Sequence, residues 1–386
     1  MLRSLYSGIS GLRSHQTMLD VTGNNIANVN TAGFKASAVQ FQDSLSQLVQ
    51  NSTLPQRDSG GSNPAQVGLG VQVAGIKTNF TQGSTQSTGV PTDLMIAGDG
   101  FFVVRSGAET RYTRNGGFSF DSSARLVTAD GALVQGWTAQ NGTIQEGQAL
   151  GDITLPVGAT LPATATTTAA VAGNLPSDTP IGDQLVRDTT TYDAEGKPSS
   201  IRLTFTRTAT GWDVADDDGV TTTLGFTDGR LTGGGSIISH GITVDLSTVT
   251  GYADIDTIAF DSQNGGAAGT LLSYALSDDG SLVGTFSNGK TQVLARIALA
   301  TFVNPGGLEK TGSSQYLPSV NSGQPKIGAA GADGMGKVVS GALEMSNVDL
   351  SQEFTNLIVA QRGFQANARI ITTSDEVLQE LTNLKR

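Results

Sequence analysis

The two ends of this chain carry the same pattern, and a long glycine-rich middle separates them. At the front, Leu2, Leu5, Ile9, Leu12, Gln16, Leu19, Gly23 and Ile26 follow one another in alternating steps of three and four. At the back, Leu350, Phe354, Leu357, Gln361, Phe364, Ala368, Ile371, Asp375 and Leu378 do the same. This spacing draws one apolar stripe along a helix, the seam of helices that pack lengthwise. Such helices at opposite ends of one chain bring the termini together. They also leave long stripes for which one molecule offers limited cover, which points to assembly rather than catalysis. The plain alternative is that each stripe packs on its own domain, as most amphipathic helices do.

The front stripe predicts a helix over residues 2–28, ~40 Å long. Asn24, Asn25, Asn28 and Asn30 then accumulate before Gly33. Asparagine competes for backbone hydrogen bonds and tolerates left-handed backbone, so the helix ends there. At the back, Asp349 with Gln352 three residues on resembles a capping box. No proline follows as far as Leu384, which gives a helix of ~54 Å. Past Ile371 the apolar line drifts to Val377, Leu381 and Leu384, because 3.6 residues per turn does not match a seven-residue pattern. Gln16, Gln361 and Asp375 interrupt the seams, either as register-setting polar positions or as solvent-facing drift.

The middle reads as β. Phe34 to Val49 is mixed, with Phe41, Leu45, Leu48 and Val49 at helical spacing, and residues 51–66 read as an extended linker. From about residue 69 the period is two, starting with Val71, Val73 and Ile76. Fifty of the 386 residues are glycine, well above the usual ~7%. Many glycines fall in hairpin-type pairs: Asn115-Gly116, Asp130-Gly131, Asn141-Gly142, Asp218-Gly219, Asp228-Gly229, Asp279-Gly280 and Asn288-Gly289. Residues 157–172 are nearly all Ala, Thr, Pro and Val, a low-complexity crossing. Ile201, Leu203 and Phe205 alternate with polar residues, as do Ile242, Val244 and Leu246. Residues 304–340 are loop-rich. No internal repeat of fixed period is found, which argues against a solenoid or propeller.

A net charge of −11 would be repelled by a duplex or an acidic membrane, so no nucleic-acid partner is expected. There are no cysteines, which removes disulfides and thiolate chemistry together. No stretch approaches ~18 apolar residues, so no membrane span is expected. The start of the chain lacks the apolar core of a cleaved signal peptide.

Motifs that imitate chemistry are weak. Gly331-Ala332-Asp333-Gly334-Met335-Gly336-Lys337 almost spells a P-loop, but Val338 stands where Ser or Thr should hold magnesium. Gly98-Asp99-Gly100 lacks the third glycine of a dinucleotide fingerprint and reads as a hairpin turn. Asp216-Asp217-Asp218-Gly219 has Val214 at the first ligand position of a calcium loop and reads as a solvated turn. His15 and His240 have no partner pattern, and His15 is expected on the polar flank of the first helix. No catalytic, cofactor-binding or metal-ligating residue is assigned, and no cofactor is expected.

Several segments together resemble the bacterial flagellar axial proteins of the rod and hook. Ser4-Leu5-Tyr6-Ser7-Gly8-Ile9-Ser10-Gly11-Leu12, running to Asn24-Asn25-Ile26-Ala27-Asn28-Val29-Asn30-Thr31-Ala32-Gly33-Phe34-Lys35, looks like the family's N-terminal signature. Ser346-Asn347-Val348-Asp349-Leu350, with Val359-Ala360-Gln361-Arg362-Gly363-Phe364-Gln365-Ala366-Asn367, looks like its C-terminal signature. Ile96-Ala97-Gly98-Asp99-Gly100-Phe101-Phe102 and Tyr112-Thr113-Arg114-Asn115-Gly116 resemble the shared β-domain. The length, and the extra β region near 150–268, resemble hook-type rather than rod-type members.

The resemblance implies a subunit of a curved hollow tube that acts as a universal joint between rod and filament. It implies copies of the same chain as partners, with the rod, the hook cap, the hook–filament junction proteins and the export apparatus. It places the protein in the extracellular part of the flagellum, exported without a cleaved signal. The expected fold is mainly β with long terminal helices forming a coiled-coil-like layer. Residues 1–28 and 347–386 would form that layer, 29–68 a linker, 69–147 and 269–345 a discontinuous β-domain, and 148–268 an inserted outer β-domain. The expected assembly residues are Leu2, Leu5, Ile9, Leu12, Leu19, Ile26, Leu350, Phe354, Leu357, Phe364, Ile371, Leu378 and Leu381. The alternatives are a distal-rod or related axial subunit and, outside the family, a secreted β-rich hydrolase or adhesin.

Overall fold

The structure, a computed structural model, describes residues 2–52, 54, 60–140, 142–156, 158 and 160–383, the side chains of Leu2 and Arg3 excepted. The chain is mainly β with one long helix at each end, α1 (Leu2–Ala27) and α2 (Leu350–Asn383). It divides into two compact units. The first is Met1–Leu155 with Ala275–Val283 and Val293–Arg386, and the second is Pro156–Tyr274 with Gly284–Gln292. Leu384 of the drifting stripe and Asn141 of the Asn141-Gly142 turn lie outside the described residues.

Local chemistry sets the helix ends of the first unit. Asp349 Oδ1 accepts the backbone N–H groups of Ser351 and Gln352 at 2.8 and 3.2 Å, donors that have no partner inside the helix. The Gln352 side chain turns to Asn356 instead, so the capping box is half made. α1 stops one residue before Asn28, whose Nδ2 donates to the Asn24 carbonyl at 2.9 Å. The β part of this unit is antiparallel, running Thr291–Ile297, Leu133–Thr138, Phe101–Ser106, Glu109–Thr113, Gln315–Leu317 and Glu309–Gly312. Its core is aromatic. Phe302 meets Tyr112 and Phe101 edge-on at 4.8 and 5.9 Å between centroids, and Tyr316 meets Phe101 at 5.9 Å, the geometry that ring quadrupoles favour.

The second unit is built mainly on one mixed sheet around Trp212. Its order is Gln184–Tyr192, Pro198–Arg207, Gly211–Asp216, Thr221–Thr227, Arg230–Gly233, Val249–Thr250, Thr168–Asn174, Ile242–Asp245 and Ser236–Ser239. The residues read as alternating, Ile201, Leu203, Phe205, Ile242, Val244 and Leu246, all point into its core. Strand Thr168–Asn174 is an interior strand, third from one end, and pairs in parallel with Ile242–Asp245 and Val249–Thr250.

The structure corrects several expectations. The 34–49 stretch, read as mixed with helical spacing at Phe41, Leu45, Leu48 and Val49, holds two strands, Ser37–Asp43 and Ser46–Gln50, and the linker that follows ends in a third, Ala65–Gly68. A bulge between Gln40 and Phe41 interrupts the pairing of Ser37–Asp43 with Val71–Thr78. A bulge flips the inside–outside alternation, which hides a period of two. The low-complexity crossing at 157–172 contains the start of the interior strand Thr168–Asn174, because alanines between packed strands carry little propensity signal. Gly98-Asp99-Gly100 does not close a hairpin, since Leu94–Ala97 pairs with Lys337–Ser340. Asn115-Gly116 does not either, since Glu109–Thr113 pairs with Phe101–Ser106 and Gln315–Leu317. The stretch read as loop-rich contains a hairpin, Glu309–Gly312 with Gln315–Leu317. It turns on Ser313 and Ser314, both at positive φ, where no Asn-Gly pair announces the turn.

Candidate assembly interface

α1 and α2 lie antiparallel. A Cβ on Gly8 would meet Ile371, one on Gly11 would lie 2.6 Å from Asn367, and one on Gly363 would lie 2.5 Å from the His15 ring. Farther along, Asn25 reaches Glu353. Small residues on the contact line let the two backbones approach closely. His15 is therefore part of the packing face, with its ring 5.8 Å from that of Phe41, and not on the polar flank expected for it. The other flank of α1 rests on the strand Val71–Thr78, where the Val71 N–H donates to Ser10 Oγ at 3.3 Å.

Of the expected assembly residues, Ile371 lies on this contact line, against Gly8. Leu5, Ile9, Leu12, Leu19 and Ile26 on α1 are half-buried, as are Leu357, Phe364, Ile371 and Leu378 on α2. Leu350, Phe354 and Leu381 are exposed. The side chain of Leu2 lies outside the described residues. Gln16, Gln361 and Asp375 face solvent in the single chain.

The helices are tied to the β part of the same unit by a clasp of buried polar groups. Asn25, 1% exposed, donates to the Ser37 carbonyl at 2.8 Å and to Glu353 Oε1 at 3.1 Å, and accepts the Ser37 N–H at 3.0 Å. Asn347 Oδ1 accepts the Ala36 N–H at 2.9 Å, while its Nδ2 donates to the carbonyls of Asn79 and Thr81. Gly33 has φ +68°, and a Cβ there would stand 2.5 Å from the Asn115 nitrogen, so only glycine fits.

Charge sits at the centre of the clasp. The Lys35 and Glu344 side chains are both fully buried, with Lys35 Nζ donating to Glu344 Oε1 at 2.6 Å and to the Thr81 carbonyl at 2.7 Å. Glu344 Oε1 also accepts the Gly83 N–H at 2.8 Å. Arg114 stands 3.5 Å from Glu344 Oε2, donates to the Gly98 carbonyl at 2.8 Å and lies over the Phe101 ring. Burial lowers the pKa values of Lys35 and Arg114, and Glu344 opposes both shifts. Burial also pushes the nearby Tyr316 hydroxyl far above its ordinary range. One carboxylate thus serves two buried cations. Sequence reading missed this group, because Lys35 and Glu344 lie 309 positions apart and nothing in spacing pairs them.

Known proteins share these terminal segments. Residues 5–35 match the family model for flagella basal body rod protein, 95–171 that for the flagellar hook protein FlgE/F/G D1 domain, and 339–384 that for the flagellar basal body rod FlgEFG protein C-terminal. The flagellar hook protein FlgE of Borreliella burgdorferi is 40% identical over 442 residues, covering 100% of both chains. The chain belongs to the flagellar hook protein family. Salmonella typhimurium FlgE is 36% identical over 420 residues, covering 99% of this chain and 100% of its own. The flagellar basal-body rod protein FlgG of Bacillus subtilis is 35% identical over 387 residues, covering 100% of both. The crystal structure of Helicobacter pylori flagellar hook protein FlgE2 superposes with a TM-score of 0.51 at 13% identity, over 67% of this chain and 100% of that one, which supports the shared fold. Within this chain, the two terminal family segments are those that hold Asn25, Lys35, Glu344, Asn347 and Glu353. The family segments at the two ends therefore include the halves of one clasp.

Proposed function

We propose that this chain is the structural subunit of the bacterial flagellar hook. It self-assembles into a curved hollow tube that transmits torque from rod to filament as a universal joint. The observation that carries this reading is apolar surface left uncovered near the chain's ends. On α2, Val359, Ile370, Val377 and Leu381 are 54, 42, 49 and 46% exposed. Val359 and Val377 lie five full turns apart at 3.6 residues per turn, so they share one face, with the other two nearby. The hairpin Ser46–Gln50 with Ala65–Gly68 is exposed at every residue, including Leu48, Val49 and Val67. An unsupported two-stranded hairpin is marginal in water, so it calls for a neighbour. Contacts of one surface with a different surface on the next copy, which do not close into a ring, build an open filament.

In this proposal residues 1–28 and 347–386 make the inner helical layer, including the thirteen seam residues named from the sequence. Residues 69–147 with 269–345, and 148–268, face outward. The outer contacts slide as the tube turns, because exposed polar contacts are each worth little. The partners are further copies, the rod, the hook cap, the hook–filament junction proteins and the export apparatus, with export needing no cleaved signal. The role is mechanical, with no catalysis. Hook proteins reach 40% identity against 35% for the rod protein, both over the full chain, which favours the hook.

Deleting residues 2–28 tests the reading. Neither apolar β core draws a side chain from α1 among the described residues. The truncated chain is expected to keep its β circular dichroism and to form no tubes by electron microscopy. Tubes of normal diameter from the truncated chain would contradict the assignment.

A further inference from the structure

We propose that the second unit carries a divalent-metal site formed by Asp216, Asp218 and His240. A carboxylate oxygen of each aspartate and a ring nitrogen of His240 all lie within 4.8 Å of one another. Two tight turns bring them together. The first follows strand Gly211–Asp216 and leads into Thr221–Thr227. The second joins Ser236–Ser239 to Ile242–Asp245 through His240 and Gly241, at φ +50° and +79°. Two successive positive φ values make a type I′ turn, which holds the imidazole in one place.

An acidic cluster alone is no site, and here a second observation points to a ligand. Asp216 is only 7% exposed. Its Oδ1 accepts the N–H groups of Asp218 and Val220 at 3.1 and 2.7 Å. Its Oδ2 is buried and has no hydrogen-bond partner among the described residues. A sealed carboxylate oxygen without a donor is costly, and a cation beside it removes that cost.

The remaining two groups are poised for the same ion. His240 Nε2 stands 3.3 Å from Asp218 Oδ2, close to the ~3.4 Å that separates neighbouring ligands around a tetrahedral ion with bonds near 2.1 Å. His240 Nδ1 lies 3.0 Å from Ser239 Oγ, and Ser239 is fully buried. When Nδ1 carries the proton and donates it to Ser239, Nε2 presents its lone pair, the usual outer-sphere arrangement of a ligating histidine. One imidazole and two carboxylates suit a borderline ion such as zinc, with water completing the shell. Calcium takes oxygen ligands and would lose the imidazole. The bound ion would pin two turns of the second unit together.

Isothermal titration calorimetry of the full-length chain with Zn²⁺ tests this. The expected result is one saturable site per chain, and little heat from Ca²⁺ under the same conditions. His240→Gly suits the positive φ, and Asp218→Asn changes an exposed residue; both should keep the wild-type circular dichroism. Each is expected to weaken zinc binding at least about tenfold, in line with losses at tuned metal sites. No saturable zinc heat would overturn the proposal. So would unchanged affinity in His240→Gly, or several equal ions per chain in both proteins, which would mean scattered surface carboxylates only.

Discussion

Glu344→Gln is expected to destabilise the first unit by about 3–5 kcal/mol, the usual cost of leaving a buried charge without its partner. Glu344 is the carboxylate that faces both Lys35 and Arg114, and it also takes the Gly83 N–H. Glutamine keeps the shape and removes the charge, which leaves two cations in a dry pocket. Lys35→Met should cost less, because Glu344 then keeps Arg114.

The loss should also depend on pH. Burial already lowers the Lys35 pKa, and the Glu344 bond and charge oppose that shift, so Glu344→Gln lowers it further. Between the lowered folded value and the ordinary 10.5, the unfolded chain binds more protons than the folded one, and stability there rises with pH. The deficit of the variant is thus fully present below its lowered Lys35 pKa and shrinks as the pH rises through it. Urea titrations followed by tryptophan fluorescence and circular dichroism measure both effects. Equal midpoints for wild type and Glu344→Gln would remove the clasp from the account.

Val377→Asp is expected to abolish tube formation while leaving the single chain intact. Val377 is 49% exposed, so the isolated molecule loses little when it becomes polar. In the proposed tube the same position is covered by a neighbour. Burying a valine there contributes about 1.5–3 kcal/mol, and an aspartate adds the cost of taking a charge out of water. A loss of about 3 kcal/mol per contact raises the critical concentration more than a hundredfold. Leu357→Asp should stop assembly too, but Leu357 is already half-buried in the single chain, so this change should also cost the folded chain stability. Ile181→Asp, on an exposed residue of the second unit, should matter far less. Sedimentation against concentration separates the three variants, and wild-type tube yield from Val377→Asp would count against the stripe.

The parts of the fold legible in the sequence were those governed by local periodicity. The 3/4 steps of Leu5, Ile9 and Leu12 marked α1, Asp349 marked the start of α2, and Ile201, Leu203 and Phe205 marked a strand with one buried face. What stayed hidden depended on distant partners. The bulge at Gln40 and Phe41 erased the alternation that would have shown a strand. Ser313 and Ser314 turn a hairpin without the residues that usually mark one. Asn25 read as part of a helix stop and Lys35 only as the end of a family signature, because Glu344, Glu353 and Ser37 complete them only in the folded chain. Helical spacing located the apolar stripes, but it did not separate the line through Gly8, Gly11 and Gly363, which packs within the molecule, from the stripe beside it.

High-resolution electron microscopy of concentrated purified chain addresses the central claim most directly. The account predicts short, hollow, curved tubes in which α1 and α2 line the channel and Val359, Ile370 and Val377 touch neighbouring copies. A folded monomer that forms no tubes at high concentration, or tubes in which this face of α2 remains open to water, would contradict it.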